Sequence, residues 1–376
     1  MRFLLGGYSA DMGGSATGIG LLDAGTADSP LASGPLGFGG DIAAAESPSW
    51  ITRHPSLDVV YATLEGRGAV RAYLRTGERT FVPLGHEVVV GDSPCHVLAL
   101  EDALIVSCYG DGAVVRVGLA PDGRPGTARA WTGVAEGGPT SDVAAAARAL
   151  RAAAGAEYAH LIPHADDETD AAGRTSPAHQ AAGRPSHAHQ AASLPGGVIA
   201  TSDLGLDLVR FWRGGREAQR LVLPTGTGPR HLRVHPSGHL YVVTEYSGEV
   251  FALAPDAQGE WRLVGGAQLG AFPGDMGAEL AMSSDGVHLY AGLRGSDTIA
   301  TVKVRGGGET LQPVALAESG TSWPRHHVVA RDTLLVAGQR ADEVVSLAID
   351  GRTGVPGRVR HRTIAPSPTA LLPFSA

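Results

Sequence analysis

Arg230, Arg294 and Arg325, His187, His189, His231 and His326, and the carboxylates Asp203 and Glu245 are the side chains of this sequence with the means to hold an anion and move a proton. Guanidinium groups grip carboxylate or phosphate oxygens through paired, charge-assisted hydrogen bonds. Imidazoles and carboxylates accept and donate protons near neutral pH. These residues are scattered along the chain, so the fold must gather them. Each sits at a matching place in a recurring phrase, as in SHAHQ from Ser186, GPRHLRVHPSGHLYVVTE from Gly228, HLYAGLRGS from His288 and WPRHHVV from Trp323.

The phrase recurs about every 46 residues, and strand-like units at that period are the signature of a β-propeller. Six copies begin at Ser47, Ser93, Ser186, Gly228, Gly277 and Trp323. In each, two apolar runs flank a turn such as Pro236-Ser237-Gly238 or Asp285-Gly286, which is a hairpin signal. A third run and a weaker fourth complete a four-stranded blade. A seventh phrase, SPTALLPF near Ser367, holds only a first strand, whereas the N-terminus supplies FLLGGY and GIGLLDA without one. The expected fold is therefore all-β: a seven-bladed propeller of four-stranded antiparallel blades. A C-terminal strand joins the N-terminal blade, closing the ring and removing its open edges. The whole chain, residues 1–376, is expected to be one domain.

Antiparallel pairing then places the chemistry. The start of each first strand lies beside the end of the second strand. First strands line the central channel, so these positions from all blades ring one mouth. Arginines, histidines and carboxylates converging there make a site for a small anionic ligand. His187 and His189 alternate along one strand, so only one of them can face the channel. Glu245 ends a strongly apolar run and needs a partner, either Arg230 or Arg294. Asp203, in SDLGLD, has the setting of a turn cap.

Composition narrows the classes. A net charge of −8 and a pI near 6.0, with no basic run, exclude the electrostatic footprint of a nucleic-acid binder. No apolar stretch is long enough for a membrane span, and the N-terminus shows no signal peptide. Two cysteines, Cys95 and Cys108, fit a reducing cytoplasm as buried thiols rather than as a disulfide. A monomer or weak homodimer is expected. Residues 134–185 break the strand pattern between blades 3 and 4. SDVAAAARALRAAAGAEY there reads as a helix capped at Ser141 or Asp142, followed by a mobile, His-rich loop on the face of the site. His160, His164 and the acidic residues Asp166 to Asp170 lack a metal-ligand spacing, and no metal is expected. GTGTGPRH precedes a strand rather than a helix and so lacks a phosphate-loop setting.

At PSHAHQ, SDLGLDLV, GTGPRHLRVHPSGHLYVVTE, GLRGSDTIATV and WPRHHVV the chain resembles the seven-bladed lactonase family. That family groups cycloisomerase-type 6-phosphogluconolactonases with fungal 3-carboxy-cis,cis-muconate lactonising enzyme. The likeness spans nearly the whole chain except the insertion. Cys108 and Gly292 depart from it, standing where the family often has Asn. The resemblance implies His189 (or His187), Arg230, Glu245 and Arg294 as catalytic residues, with neither metal nor organic cofactor. His187, His231, Asp203, Arg325 and His326 are then expected to bind substrate. Hydrolysis of a sugar-acid lactone, 6-phosphogluconolactone first, is the leading expectation. The arginines would hold the anion and the developing oxyanion, and Glu245 and His189 would share the base and acid roles. A lactonising isomerase acting on a carboxymuconate, or a non-catalytic binding propeller, are the alternatives.

Overall fold

A computed structural model describes residues 1–26, 30–131 and 184–374. Among these described residues are 28 strands, β1 to β28 in chain order, arranged as seven antiparallel sheets of four. The first sheet has the order β28-β1-β2-β3, and each of the other six uses four consecutive strands. β28 (Pro368–Phe374) pairs with β1 (Arg2–Gly7) with Leu4 opposite Leu372 and Gly6 opposite Ala370, so the C-terminal strand closes the ring as expected. The helix expected from Ser141 and the His-rich loop lie outside the described residues.

Strand position within a blade explains the sequence pattern. Second strands are sandwiched between neighbouring blades and read as continuous apolar runs. Val59–Leu64 (β5) and Leu240–Thr244 (β17) are buried along their whole length. Fourth strands face solvent on one side and alternate, as Pro356–Ile364 (β27) does. Three second strands carry a tyrosine whose ring packs between blades while its hydroxyl donates to a carbonyl of the next blade. Tyr61 reaches Gly123 O at 2.9 Å, Tyr241 reaches Gly308 O at 2.8 Å, and Tyr290 reaches Gly354 O at 2.9 Å. A buried tyrosine needs such a partner for its polar tip.

Cys95 and Cys108 are both buried free thiols. The hairpin register sets Pro94, not Cys95, opposite Cys108, which keeps the two sulfurs unbonded.

Candidate active site

The site is built where first strands begin, and a repeated local device sets that geometry. The residue before the entry proline sits in the left-handed region in five blades: Ser47, Ser93, Gly228, Trp323 and Ser367. For the four non-glycine residues this conformation is strained unless something holds it. An aspartate from the preceding blade holds the turn in three of the five blades, two of them with a non-glycine residue. Asp207 accepts from Gly228 N, Asp297 from Trp323 N and Asp342 from Ser367 N, each at 2.7 Å. The proline then fixes the entry to the strand, and the next residue points into the mouth: Arg230 after Pro229, Arg325 after Pro324, Thr369 after Pro368.

Arg230 opens β16 (Pro229–Val234), and Glu245 directly follows β17. Arg294 ends β21 (His288–Arg294) of the next blade. Glu245 Oε2 lies 3.0 Å from Arg230 Nε, without hydrogen-bond alignment, and 2.9 Å from an Arg294 terminal nitrogen. That same arginine donates to Gly277 O at 2.9 Å. Gly277 must be glycine here, since a Cβ would stand 2.1 Å from Thr244 O. The bare backbone lets the two blades close on Glu245.

Arg230 and Arg294 are buried, and Arg325 is half-buried beside them. Burial, and next the Arg230 charge, push Arg294 down to about 9. Burial also lowers Arg230, against the pull of Glu245. One carboxylate stands between two guanidiniums while Arg325 adds a third positive charge. Arg325 donates to Tyr8 Oη at 2.6 Å and stacks over the Tyr8 ring.

Of the two strand-start histidines, His189 is the one directed inward. It is buried in β12 (Ala188–Leu194), and its Nδ1 has no hydrogen-bond partner. Burial foremost, then the charge of Arg230, hold it far below the ordinary histidine range, so it is neutral at pH 7. His187 is half-buried at the rim, stacked on Tyr109 with Nδ1 2.6 Å from Tyr109 O.

Below this layer the channel is plugged by rings. Trp50 packs against His96, His231 and His326 with centroids 4.5 to 5.5 Å apart. His231 Nε2 faces an Arg230 nitrogen at 3.1 Å and its Nδ1 faces Glu279 Oε2 at 2.8 Å. Arginine can only donate, so His231 carries its proton on Nδ1 and gives it to Glu279. His326 Nδ1 accepts from Leu371 N at 3.2 Å, which turns its Nε2–H to the same Glu279 oxygen, also at 3.2 Å. Glu279 thus sets both ring tautomers and, through His231, the attitude of Arg230. Sequence reasoning did not single it out. Its signal was a glutamate inside the apolar run ELAM, at the phrase position where other blades carry His96, His231 and His326.

Arg230, His231, Arg325, His189 and Glu65 line one cavity with Trp50. Asp203 is not among its lining residues. Its oxygens accept from His187 N and Leu206 N, and pair with Ser186 and Arg210, which is the turn-cap setting read from its sequence. Among the described residues no group of three His, Cys, Asp or Glu could hold a metal ion, and no helix is long and apolar enough to cross a membrane. His160 and His164 lie outside the described residues.

Fold and site together define a seven-bladed propeller with an arginine-rich cluster at one mouth of its channel. The chain belongs to the lactonase family of seven-bladed β-propellers, whose family model matches residues 3–373. A 6-phosphogluconolactonase of Bacillus subtilis is 28% identical over 349 residues, covering 87% of this chain and 85% of that one. Two solved structures share the fold. The periplasmic gluconolactonase of Pseudomonas aeruginosa superposes with a TM-score of 0.74 at 22% identity, covering 98% of each chain. A Lactobacillus plantarum protein superposes with a TM-score of 0.75 at 20% identity, covering 99% of this chain and 98% of that one.

Proposed function

We propose that the chain hydrolyses a sugar-acid lactone, 6-phosphogluconolactone first, to the open aldonate. The observation that carries this reading is the gathering of three arginines from different blades at the mouth. Arg230 and Arg294 are buried and share a single Glu245 oxygen, and Arg325 stands half-buried beside them. Buried charges call for partners, and an anionic substrate would supply one. The name of the Bacillus subtilis relative agrees with a phosphorylated lactone.

In this reading Arg230 and Arg294 receive the substrate's anionic group and the oxyanion that forms as the carbonyl is attacked. Glu245 holds the two guanidiniums in register rather than acting as a free base. Neutral His189 takes the proton of the attacking water at Nδ1. His231 and Glu279 fix Arg230 from below, and Arg325 guards the opposite wall. Aldonolactones already open in water, so positioning and modest electrostatics suffice without a covalent intermediate. The two reduced thiols fit the cytoplasmic location expected from the sequence, and a phosphorylated lactone would place the reaction in the pentose phosphate pathway.

The test is hydrolysis of freshly generated 6-phosphogluconolactone beside unphosphorylated gluconolactone, with EDTA present and spontaneous opening subtracted. Fast, EDTA-resistant turnover that favours the phosphorylated lactone is the expected result. No rate above background on either lactone would overturn the reading.

A further inference from the structure

We infer that Glu65 is the proton donor to the departing ring oxygen, presenting a protonated Oε2 to the cavity floor. This role rests on the lactonase reading above, which leaves the leaving group without an acid.

Glu65 follows β5 and is buried. It lines the same cavity as His189, Arg230 and Arg325, which come from other blades. Its two oxygens are in different situations. Oε1 lies 3.2 Å from Tyr8 Oη, which in turn receives a hydrogen bond from Arg325 at 2.6 Å. An arginine only donates, so Tyr8 Oη accepts from it and spends its one proton on Glu65 Oε1. Any proton on Glu65 is therefore directed to Oε2. That atom is buried and accepts no aligned hydrogen bond, although the Ser49 hydroxyl lies close enough to favour the ionised carboxyl. Leaving a buried carboxyl oxygen without a partner costs stability, and such groups in native proteins call for an explanation such as a catalytic role. His189 Nδ1 is a second unpartnered atom of the same cavity. An acid and an acceptor thus face one space from different blades.

The surroundings suit an acid that gives up its proton and regains it. Burial raises Glu65 above the usual carboxylate range, and Arg325 first, then Ser49, Tyr8 and Arg230, pull it back. The other titratable groups lining the cavity are His189 and His231, both neutral at pH 7, and Cys95, whose thiol burial pushes up.

The step balances. A water oxygen bonds to the carbonyl carbon as the carbonyl π pair moves onto its oxygen, and the water passes one proton to His189 Nδ1. The oxyanion then re-forms the carbonyl as the bond from that carbon to the ring oxygen breaks, and that electron pair goes to the ring oxygen, which takes the proton from Glu65 Oε2. His189 then releases a proton to solvent and Glu65 takes one back. Nothing is oxidised or reduced.

The experiment is the pH dependence of kcat and KM for 6-phosphogluconolactone in the wild type, Glu65→Gln and Tyr8→Phe, with melting temperatures beside them. The wild type should lose kcat on the alkaline side as Glu65 ionises. Glu65→Gln, isosteric and neutral, should lower kcat at least ~100-fold with little change in KM, and erase that alkaline limb. Tyr8→Phe removes a hydrogen bond that favours ionised Glu65, so its alkaline limb should move to higher pH. A wild-type-like kcat or a retained alkaline limb in Glu65→Gln, or an unmoved limb in Tyr8→Phe at unchanged melting temperature, overturns the role of Glu65 alone. A wild type inactive on both phosphorylated and unphosphorylated lactone overturns the lactonase reading, and this role with it.

Discussion

Arg230 and Glu245 face each other across one hairpin, Nε to Oε2 at 3.0 Å, and the same carboxylate oxygen receives Arg294 from the neighbouring blade at 2.9 Å. The carboxylate thus locks two blades together at the mouth. Removing it would free two guanidiniums at once. Glu245→Gln should cut lactone turnover at least ~100-fold, through lost positioning of both arginines. A steady-state assay showing nearly unchanged kcat would take Glu245 out of the site.

Arg230 is the arginine supported from below by His231 and from the side by Glu245. If it grips the substrate's phosphate, Arg230→Ala should lose the preference for phosphorylated over unphosphorylated gluconolactone, chiefly through KM. The kcat/KM ratio of the two lactones measures this. A preference that survives the substitution would move the phosphate to Arg294 or Arg325.

The channel plug makes stability fall with acid. Burial is the main cause that pushes His231 down to about 3 and His326 to about 4, from an ordinary value near 6.5. The unfolded chain takes up protons as pH drops through 6.5, and the folded chain does not until pH 3 to 4. The stabilisation is complete above pH 6.5 and lost progressively below it. Glu279, held well below the usual range by His231 and His326 against its burial, adds to the loss further into acid. The melting temperature should therefore drop between pH 7 and pH 5. His326→Gln, which can keep the hydrogen bond from Leu371 N and a donor facing Glu279, should flatten the drop. A flat wild-type profile would contradict the buried neutral histidines.

Ring closure depends on β28, whose inner face also supplies Thr369 to the cavity. Deleting residues 366–376 exposes β1 as a raw sheet edge, and the whole propeller should lose its cooperative melt. A truncated chain that keeps its melting temperature would refute closure by this strand.

The Tyr290 hydroxyl ties its blade to Gly354 O in the next at 2.9 Å. Tyr290→Phe leaves that carbonyl without its donor and should cost about 1–3 kcal/mol in denaturant unfolding, at unchanged slope. A smaller loss would mean that water replaces the tyrosine.

The sequence by itself determined the ring. Period, hairpin turns and complementary ends sufficed for seven blades and their closure, because strand alternation and turn chemistry are local signals repeated seven times. It also placed Arg230, Glu245 and Arg294 at one mouth, because antiparallel register is a counting rule. Tertiary structure decided what counting could not. Of His187 and His189, a register irregularity in β12 and the packing of Tyr109 chose the second for the cavity. Asp203 spends its oxygens on its own turn, since nearby backbone donors and Arg210 claim them first. Glu279, Tyr8 and Glu65 gain their meaning from partners 48, 317 and 57 residues away. A single phrase cannot announce such pairings, because they arise where blades distant in sequence meet at the channel axis and water is excluded.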